Sequence, residues 1–229
     1  MTAFKTVAAA TLVFGASQAM VPAYAQEGEW SANFAVTSDY MFRGFSQSNS
    51  DLSLNGGFDY ENGNFYAGTW FASIDFEDDS DANVEWDIYA GYAPSYGGFD
   101  FDIGFIYYAY PDADVDPQFD FFEVYGGVST EVAENLSVGL NLAVSPEFFG
   151  ETGTAVWLEG SAEYAINDAF AISAGVGQQS IDEGDDYVAT NIGGTFSGGG
   201  FDFDVRYHDT DVDTELSDGR VVFTLSRSF

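Results

Sequence analysis

The chain has 229 residues, of which 38 are acidic and five are basic, and its formal net charge is −33. So negative a chain is unsuited to binding nucleic acid through phosphate contacts, and the absence of cysteine excludes disulfides and thiolate metal sites. Aromatic residues make up 18% of the chain, which argues against disorder, because disordered acidic segments are poor in aromatics.

The N-terminus has the pattern of a secretory signal peptide. Lys5 precedes an apolar run from Val7 to Ala16, and Ala23-Tyr24-Ala25 matches the small-residue cleavage pattern. The run is too short to span a bilayer as a helix, and no later stretch is continuously apolar for about 18 residues. We expect residues 1–25 to be removed on export, which leaves 26–229 as one domain. The alternative is a first helix of the folded domain.

The first predicted strand shows the alternation that later segments repeat. A period of two predicts a strand with one face in an apolar medium and one in a polar medium. One face carries Trp30, Ala32, Phe34, Val36, Tyr40 and Phe42, and the other carries Ser31, Asn33, Thr37, Asp39 and Arg43.

The end of this strand also carries a motif. Residues 38–47 match the pattern S-D-Y-x-x-R-G-x-S-Q. On this stretch, and on residues 56–76, the chain resembles Gcw_chp, a family of proteobacterial proteins; more loosely, the resemblance extends to Phe229. The resemblance implies an outer-membrane-like protein. It carries over no catalytic or binding residue, because the family has no established function.

Eleven further alternating segments predict strands. They lie near residues 52–60, 66–76, 84–92, 99–108, 119–130, 136–144, 156–164, 170–176, 188–196, 201–208 and 221–229. In the third strand we expect Tyr66, Trp70, Ala72, Ile74 and Phe76 to face outward.

The predicted connections alternate in length. Short turns follow the even strands, and longer, mostly acidic loops follow the odd ones. An even strand count with loops sorted in this way predicts an all-β fold, a transmembrane antiparallel up-and-down β-barrel of about 12 strands. A soluble β-sandwich or lipocalin-like barrel is the alternative, but it would not sort its loops so regularly.

The predicted barrel implies a place in the cell. We expect it in the outer membrane of a Gram-negative bacterium, with both termini periplasmic. Phe229 is in phase with Phe223 and Leu225, and this ending looks like the signal read by the bacterial barrel-assembly machinery. The lipid bilayer and that machinery are therefore the expected partners.

Aromatic residues lie near both ends of the predicted strands, which is typical of interfacial girdles. Strand propensity alone would explain aromatics but not their clustering at strand ends. We expect a periplasmic girdle of Trp30, Tyr92, Phe99, Tyr164, Phe170, Phe201 and Phe229, and an outer girdle of Tyr40, Phe42, Trp70, Phe76, Trp86 and Tyr107.

A barrel of this size leaves room for a lumen. Twelve strands tilted by about 40° give a backbone radius of about 12 Å. Only four residues precede the first strand, so no plug is expected, and the seventh, ninth and tenth strands turn small residues inward. A narrow, water-filled lumen is predicted, which four inward aromatic side chains could close: Tyr89, Tyr108, Tyr125 and Trp157.

The arginines are the most informative charges. Because the eleventh, twelfth and first strands are neighbours in a closed barrel, we expect Arg43, Arg206 and Arg220 to converge in the outer half of the lumen, with His208 and Asp39 nearby. Such a cluster is either a structural ion-pair network or a selectivity constriction.

Six acids are expected on the inner face near the periplasmic end. Rings of carboxylates favour cations, so the lumen is predicted to be weakly cation-selective. The six acids are Asp59, Asp100, Asp102, Glu163, Asp202 and Asp204.

Chemistry at a dedicated site is not expected. His208, the single histidine, falls on the lumen side, so no catalytic residues and no cofactor are predicted. Residues 209–213 have an acidic spacing like that of a calcium loop, but Thr214 and Arg220 stand where glycine and glutamate belong. The acidic loops are expected to bind divalent cations loosely or simply to be solvated.

Two functions fit these observations. The leading hypothesis is a small porin-like channel for small cationic or polar solutes. The alternative is a non-conducting barrel that acts as a structural or surface-adhesion protein.

Overall fold

A computed structural model describes residues 28–76 and 80–229. In this part of the chain twelve long strands form one closed antiparallel barrel, as predicted. The strands are β1 (Glu29–Thr37), β2 (Ser53–Asn62), β3 (Phe65–Ser73), β4 (Val84–Tyr92), β5 (Phe99–Ala109), β6 (Phe121–Ala133), β7 (Leu136–Ser145), β8 (Ala155–Asn167), β9 (Phe170–Ile181), β10 (Tyr187–Gly198), β11 (Phe201–Thr210) and β12 (Arg220–Ser228). The predicted signal peptide, residues 1–25, lies outside the described residues.

The sheet closes on itself, so none of these twelve strands is left as an edge. Each strand pairs with the next, and β12 pairs with β1 through Asn33 opposite Ser228 to Thr37 opposite Thr224. The backbone N–H of Phe229 donates to Ala32 O at 2.9 Å, which extends that ladder by one more contact. Closure satisfies the backbone hydrogen bonds of every strand, as a barrel in an apolar medium requires.

The connections between these strands are sorted by length. Turns of two to six residues follow β2, β4, β6, β8 and β10, and connections of five to fifteen residues follow the odd-numbered strands from β1 to β11. The barrel therefore has a turn end and a loop end. Short elements lie in these connections: strands Met41–Phe42, Phe45–Ser46 and Ser95–Tyr96, and the 3₁₀ helix Phe149–Glu151. No helix among the described residues is long and apolar enough to cross a membrane.

The outer wall is covered by large apolar side chains, and this continuous surface is typical of a membrane interface. The alternation of strands β4 and β5 places Trp86, Ile88, Phe101, Ile103 and Phe105 outward, with 38–59% of each residue exposed. Apolar outward positions recur on the other strands, among them Phe34, Phe58, Val124, Leu140, Leu158, Ile172, Ile192, Phe203, Phe223 and Leu225.

The predicted orientation of β3 is wrong. Phe65 and Phe71 face outward, whereas Trp70, Ala72 and the following Ile74 are buried inside the barrel. The strand has aromatic residues on both faces, so alternation alone does not say which face is outside. In the structure the inward Trp70 ring packs edge-on against Tyr40, with 5.4 Å between ring centroids.

The predicted outer girdle is largely wrong. Tyr40 and Trp70 are buried, and Phe42 and Phe76 pack against the interior cluster. Only Trp86 and Tyr107 of that set are exposed on the outer wall. Four of the six expected girdle residues therefore contribute to the interior near the loop end.

Candidate functional site

The first connection folds into the barrel. Strand β1 ends at Thr37 and does not continue to Arg43, and residues 38–51, called here the inner loop, turn inward. Met41–Phe42 and Phe45–Ser46 pair as a small hairpin. Its two central residues, Arg43 (φ 47°) and Gly44 (φ 90°), both have positive φ, which is typical of the tight type I′ turn.

Asp39 organises the base of the inner loop. Its Oδ1 accepts hydrogen bonds from the hydroxyls of Ser46 at 2.6 Å and Ser48 at 3.1 Å. Its Oδ2 forms an ion pair with Arg220 Nη1 at 2.9 Å, and that nitrogen also reaches Ser50 Oγ at 2.6 Å. These contacts join both ends of the inner loop to the start of β12.

Arg43 carries the tip of the inner loop across the lumen. Its Nη2 donates to Glu123 Oε2 on β6 at 2.7 Å, and its Nη1 donates to Gln179 Oε1 on β9 at 2.8 Å. The guanidinium also lies 5.1 Å from the ring of Trp157 on β8. Since β6, β8 and β9 are the far wall from β1 in the barrel order, the inner loop spans the lumen.

The sides of the inner loop also contact the wall. Tyr40 donates to Glu85 Oε1 on β4 at 2.7 Å. Phe42 packs on Tyr108 of β5, and Phe45 packs on Tyr187 of β10, with ring centroids 5.9 Å and 5.0 Å apart. The inner loop thus meets strands on all sides and closes the barrel cross-section near its loop end. The plug that was not expected is supplied by this connection.

Aromatic side chains from three longer connections form a second layer at the same end. Phe119 and Phe149 stack with ring centroids 4.3 Å apart. Phe76 and Tyr110 each pack edge-on against both rings of this pair. This layer adds apolar closure at the loop end.

Three carboxylates beside the inner loop, called here the acid cluster, are almost fully buried. Glu85 is 1% exposed, Asp87 0% and Glu123 2%. Glu85 accepts the hydroxyls of Tyr40 and Tyr110, and Glu123 accepts Arg43. Neither carboxylate oxygen of Asp87 has a hydrogen-bond partner among the described residues.

The groups of the inner loop and its neighbours have shifted pKa values. Burial raises the pKa of Tyr40 and Tyr110 well above that of an ordinary tyrosine, and the nearby carboxylates of Glu85 and Asp87 raise it further. Burial by itself would lower the pKa of Arg43, but Glu123 reverses that effect and the net shift is upward. The two phenols therefore stay protonated donors, and Arg43 stays charged.

Arg206 occupies a separate position on the inner wall. It forms an ion pair with Asp204 at 3.0 Å and donates to Asn191 and Ser173, both at 2.9 Å. It borders a cavity of about 10 Å³, about the space of one water molecule, which Glu163 and Ser161 also line.

The three arginines do not share one cluster. Arg43 binds the far wall, Arg206 binds its own strand and two neighbours, and Arg220 binds Asp39. The expected convergence assumed that Arg43 ends a strand in the wall, whereas it lies at the tip of a loop that leaves the wall. His208 faces inward on β11, where it pairs in register with Asn191 and Arg220.

The six acids expected near the turn end have different surroundings. Asp59 is buried and accepts the Tyr89 hydroxyl, and Asp102 accepts Tyr66 at 2.8 Å. Asp100 is exposed beside Ser95. The others are half-buried on the inner wall: Glu163, Asp202 and Asp204.

The acid cluster was missed as a site. The alternation of β4 does place Glu85 and Asp87 inward, but nothing local in the sequence says that an inner loop covers them. No three Asp, Glu or His side chains in the described part of the chain are placed to share a metal ion, and Asp211 of the calcium-like spacing instead accepts the backbone N–H of Val188 at 2.7 Å.

Comparison with models of known protein families shows to which family the chain belongs. The model of Gcw_chp, described as a bacterial protein of unknown function, matches residues 23–229. The chain belongs to the Gcw_chp family. The motif on which the Gcw_chp resemblance was based forms the inner loop: Asp39 and Ser46 bind each other at its base, and Arg43-Gly44 is its tip.

Other comparisons give distant similarities. No curated protein sequence matches the chain. A refined porin structure is 16% identical, with a TM-score of 0.44 over 77% of this chain and 62% of the porin. A triple mutant of Rhodopseudomonas blastica porin is 18% identical, with a TM-score of 0.41 over 77% of this chain and 55% of that one. The chain thus spans less than two thirds of these porins.

A shorter protein gives a fuller overlap. An outer-membrane channel from Pseudomonas putida F1 is 13% identical, with a TM-score of 0.49 over 90% of this chain and 97% of that one.

Proposed function

We propose that this protein is a narrow outer-membrane channel whose lumen is closed, in the conformation described here, by the inner loop. The observation that carries the proposal is the polar inner wall of strands β8–β11. There Arg206, Glu163, Asn191 and Ser173 face the interior and the small cavity, while the outer wall is apolar. Charged side chains inside a membrane-spanning structure are costly and commonly mark a solute or ion pathway.

The inward aromatic rings of the wall, on β3, β4, β6 and β8, are compatible with a lumen. The rings of Tyr66, Tyr89, Tyr125 and Trp157 lie against glycines of neighbouring strands, where a Cβ atom would overlap them. Glycine lets each ring lie along the wall rather than across the barrel. The tyrosine hydroxyls reach Asp59 and Asp102, so this wall also offers polar groups.

The charges favour small cationic or polar solutes. Acids outnumber arginines on the inner wall, and Arg206 is already paired with Asp204. A net negative lumen raises the local concentration of cations. Arg43, at the tip of the inner loop, is likewise paired, with Glu123.

The proposed setting of the channel is the outer membrane. The apolar outer wall supports insertion into the lipid bilayer of the outer membrane. With the longer loops outside, as is usual for such barrels, both termini are periplasmic. We also propose export through the signal peptide, recognition of the C-terminal strand by the barrel-assembly machinery, and loose binding of divalent cations by the acidic loops.

A non-conducting structural barrel is the second candidate. It is favoured by the contacts of the inner loop with β4, β5, β6, β9 and β10, which close the cross-section. The two candidates differ in whether the inner loop moves away from the far wall.

Conductance of a tethered protein separates the two. The chain has no cysteine, so Phe45→Cys with Tyr187→Cys provides one thiol pair at a contact whose rings lie 5.0 Å apart. A short bifunctional methanethiosulfonate reagent joins the pair, and dithiothreitol releases it. In planar bilayers the reduced protein should conduct with weak cation selectivity in a salt gradient, and the tethered protein should not.

The single variant Phe45→Cys, treated with the same reagent, controls for modification alone. A tethered protein that conducts like the reduced one would show that the inner loop is no barrier. Wild-type protein that never conducts would support the structural barrel, and an anion-selective reversal potential would overturn the charge argument.

A further inference from the structure

The acid cluster has more negative charge than its surroundings neutralise. It brings together Glu85, Asp87 and Glu123, all at most 2% exposed. The cation in contact with the cluster is Arg43, which is bound to Glu123 and Gln179. Glu85 has hydroxyl donors from Tyr40 and Tyr110. Asp87 has neither an ion pair nor a hydrogen bond among the described residues.

A charged Asp87 cannot be accommodated at this position. A buried ion without a partner costs several kcal/mol in free energy, and the two neighbouring carboxylates add repulsion. Such a group takes up a positive charge or becomes hydrated. No three acidic or histidine side chains in the described ranges are arranged to bind a metal ion, which favours the proton as the positive charge.

The surroundings of Asp87 are otherwise neutral or acidic. Glu85 and Tyr89 face it from its own strand, Tyr108 from β5, and Glu123 from β6. Trp70 of β3 is opposite it in the ladder. On the loop-end side, Asp87 faces Tyr40 of the inner loop and Tyr110 after β5. Both of these tyrosines stay protonated.

We propose that Asp87 is a proton-binding site that controls the inner loop: protonated Asp87 permits the closed packing, and loss of the proton loosens it. The sign follows from hydration. Below its ionisation range Asp87 is neutral and is buried at little cost. As the pH rises, its charge requires water, which reaches it when the inner loop leaves Tyr108 and Glu85. The inference concerns motion of the inner loop and does not require that the barrel conducts.

Thiol labelling measures that motion directly. The chain has no cysteine, so Phe45→Cys places a single thiol on the inner loop. Phe45 is half-buried and packs on the buried Tyr187. The rate of labelling by a water-soluble methanethiosulfonate is measured from about pH 5.5 to 8.5. At each pH this rate is divided by that of a Tyr96→Cys protein, whose thiol lies in the turn after β4 at a position that is 82% exposed. The normalised rate should rise at least about tenfold, since each pH unit changes the ratio of ionised to protonated acid tenfold.

Asp87→Asn, introduced into the Phe45→Cys protein, should give slow labelling of Cys at position 45 at every pH. The amide has a shape similar to that of the carboxyl group and cannot ionise. Asp202→Asn is the matched control: it removes an inner-wall acid near the turn end that binds Ser197 and should leave the pH-dependent rise intact.

Three outcomes would overturn the proposal. A normalised rate that is flat with pH in the Phe45→Cys protein excludes proton control, and it does so even if Asp87→Asn does not fold. A rise that persists in Asp87→Asn assigns the proton to another group. Labelling that depends on added Ca²⁺ or on a chelator at constant pH assigns the positive charge to a metal ion. Absence of conductance would leave all three readouts unchanged.

Discussion

At the scale of single residues, the tip of the inner loop is the most constrained position. Arg43 adopts φ 47°, a left-handed conformation that costs an L-residue about 1–2 kcal/mol. Its two charge-assisted contacts to Glu123 and Gln179 offset that cost. Gly44 has φ 90°, and a Cβ atom there would overlap Thr210 and touch Ala189, so both backbone and space require glycine.

Gly44→Ala should therefore destabilise the barrel or displace the inner loop. Overpacking typically costs about 1–3 kcal/mol, in addition to the strain of the positive φ. Gly97→Ala is the matched control, because Gly97 also has positive φ (65°) but no atom lies within 4 Å of the added Cβ. Urea unfolding in detergent gives both stabilities, and equal losses for the two variants would contradict the packing of the inner loop described here.

Alternation within the strands predicted the inner-wall positions of Glu163, Asp204 and Arg206, because it fixes which side chains share a face. It did not predict their partners. Arg43 meets residues 80 and 136 positions further along the chain, and no local pattern encodes contacts across a lumen.

At the scale of elements, β3 shows where alternation stops being informative. Its sequence, FYAGTWFAS, has aromatic residues on both faces, so the pattern predicts a strand without its orientation. Packing on the two faces fixes the orientation of β3. Inside the barrel, Trp70 packs against Tyr40 of the inner loop. On the outer wall, Phe71 stacks with Trp86, with 5.6 Å between ring centroids. Strands with acids on one face, such as β4 and β5, had no such ambiguity.

Tryptophan fluorescence tests the orientation of β3. The structure places Trp30 and Trp86 on the outer wall and Trp70 and Trp157 inside. In proteins that keep one tryptophan each, with the others changed to phenylalanine, brominated lipid should quench Trp86 strongly and Trp70 weakly, because quenching needs contact with the acyl chains. Trp157 serves as the interior control. Quenching of Trp70 as strong as that of Trp86 would restore the rejected orientation.

At the scale of the whole molecule, loop sorting and alternation together predicted the closed twelve-stranded barrel, since both are global regularities of the sequence. The inner loop was not predictable in the same way. Alternation extends the first strand to about Arg43, and the residues that follow, GFSQSNSD, are typical of a solvated connection, so only the barrel shows that residues 38–51 turn inward and that their polar groups are satisfied by an interior wall.

Heating before electrophoresis tests the closed barrel as a unit. Protein from the outer-membrane fraction, kept in detergent without boiling, should migrate differently from the boiled sample, because closed barrels resist unfolding in detergent. Identical migration of the two samples, or recovery of the protein in the soluble periplasmic fraction, would be inconsistent with a barrel inserted in the membrane.

The far reach of the inner loop has a consequence for the order of assembly. The loop directly follows β1, yet the partners of Arg43 lie on β6 and β9. Contacts between residues so distant in sequence form late, after much chain entropy has been lost. Arg43 therefore lacks both of these partners until β6 and β9 have joined the wall, whereas Tyr40 can reach Glu85 once β4 has formed. We expect the loop to lie inside the curving sheet already when β12 joins β1. The final pairing of the sheet thus encloses the loop rather than admitting it afterwards.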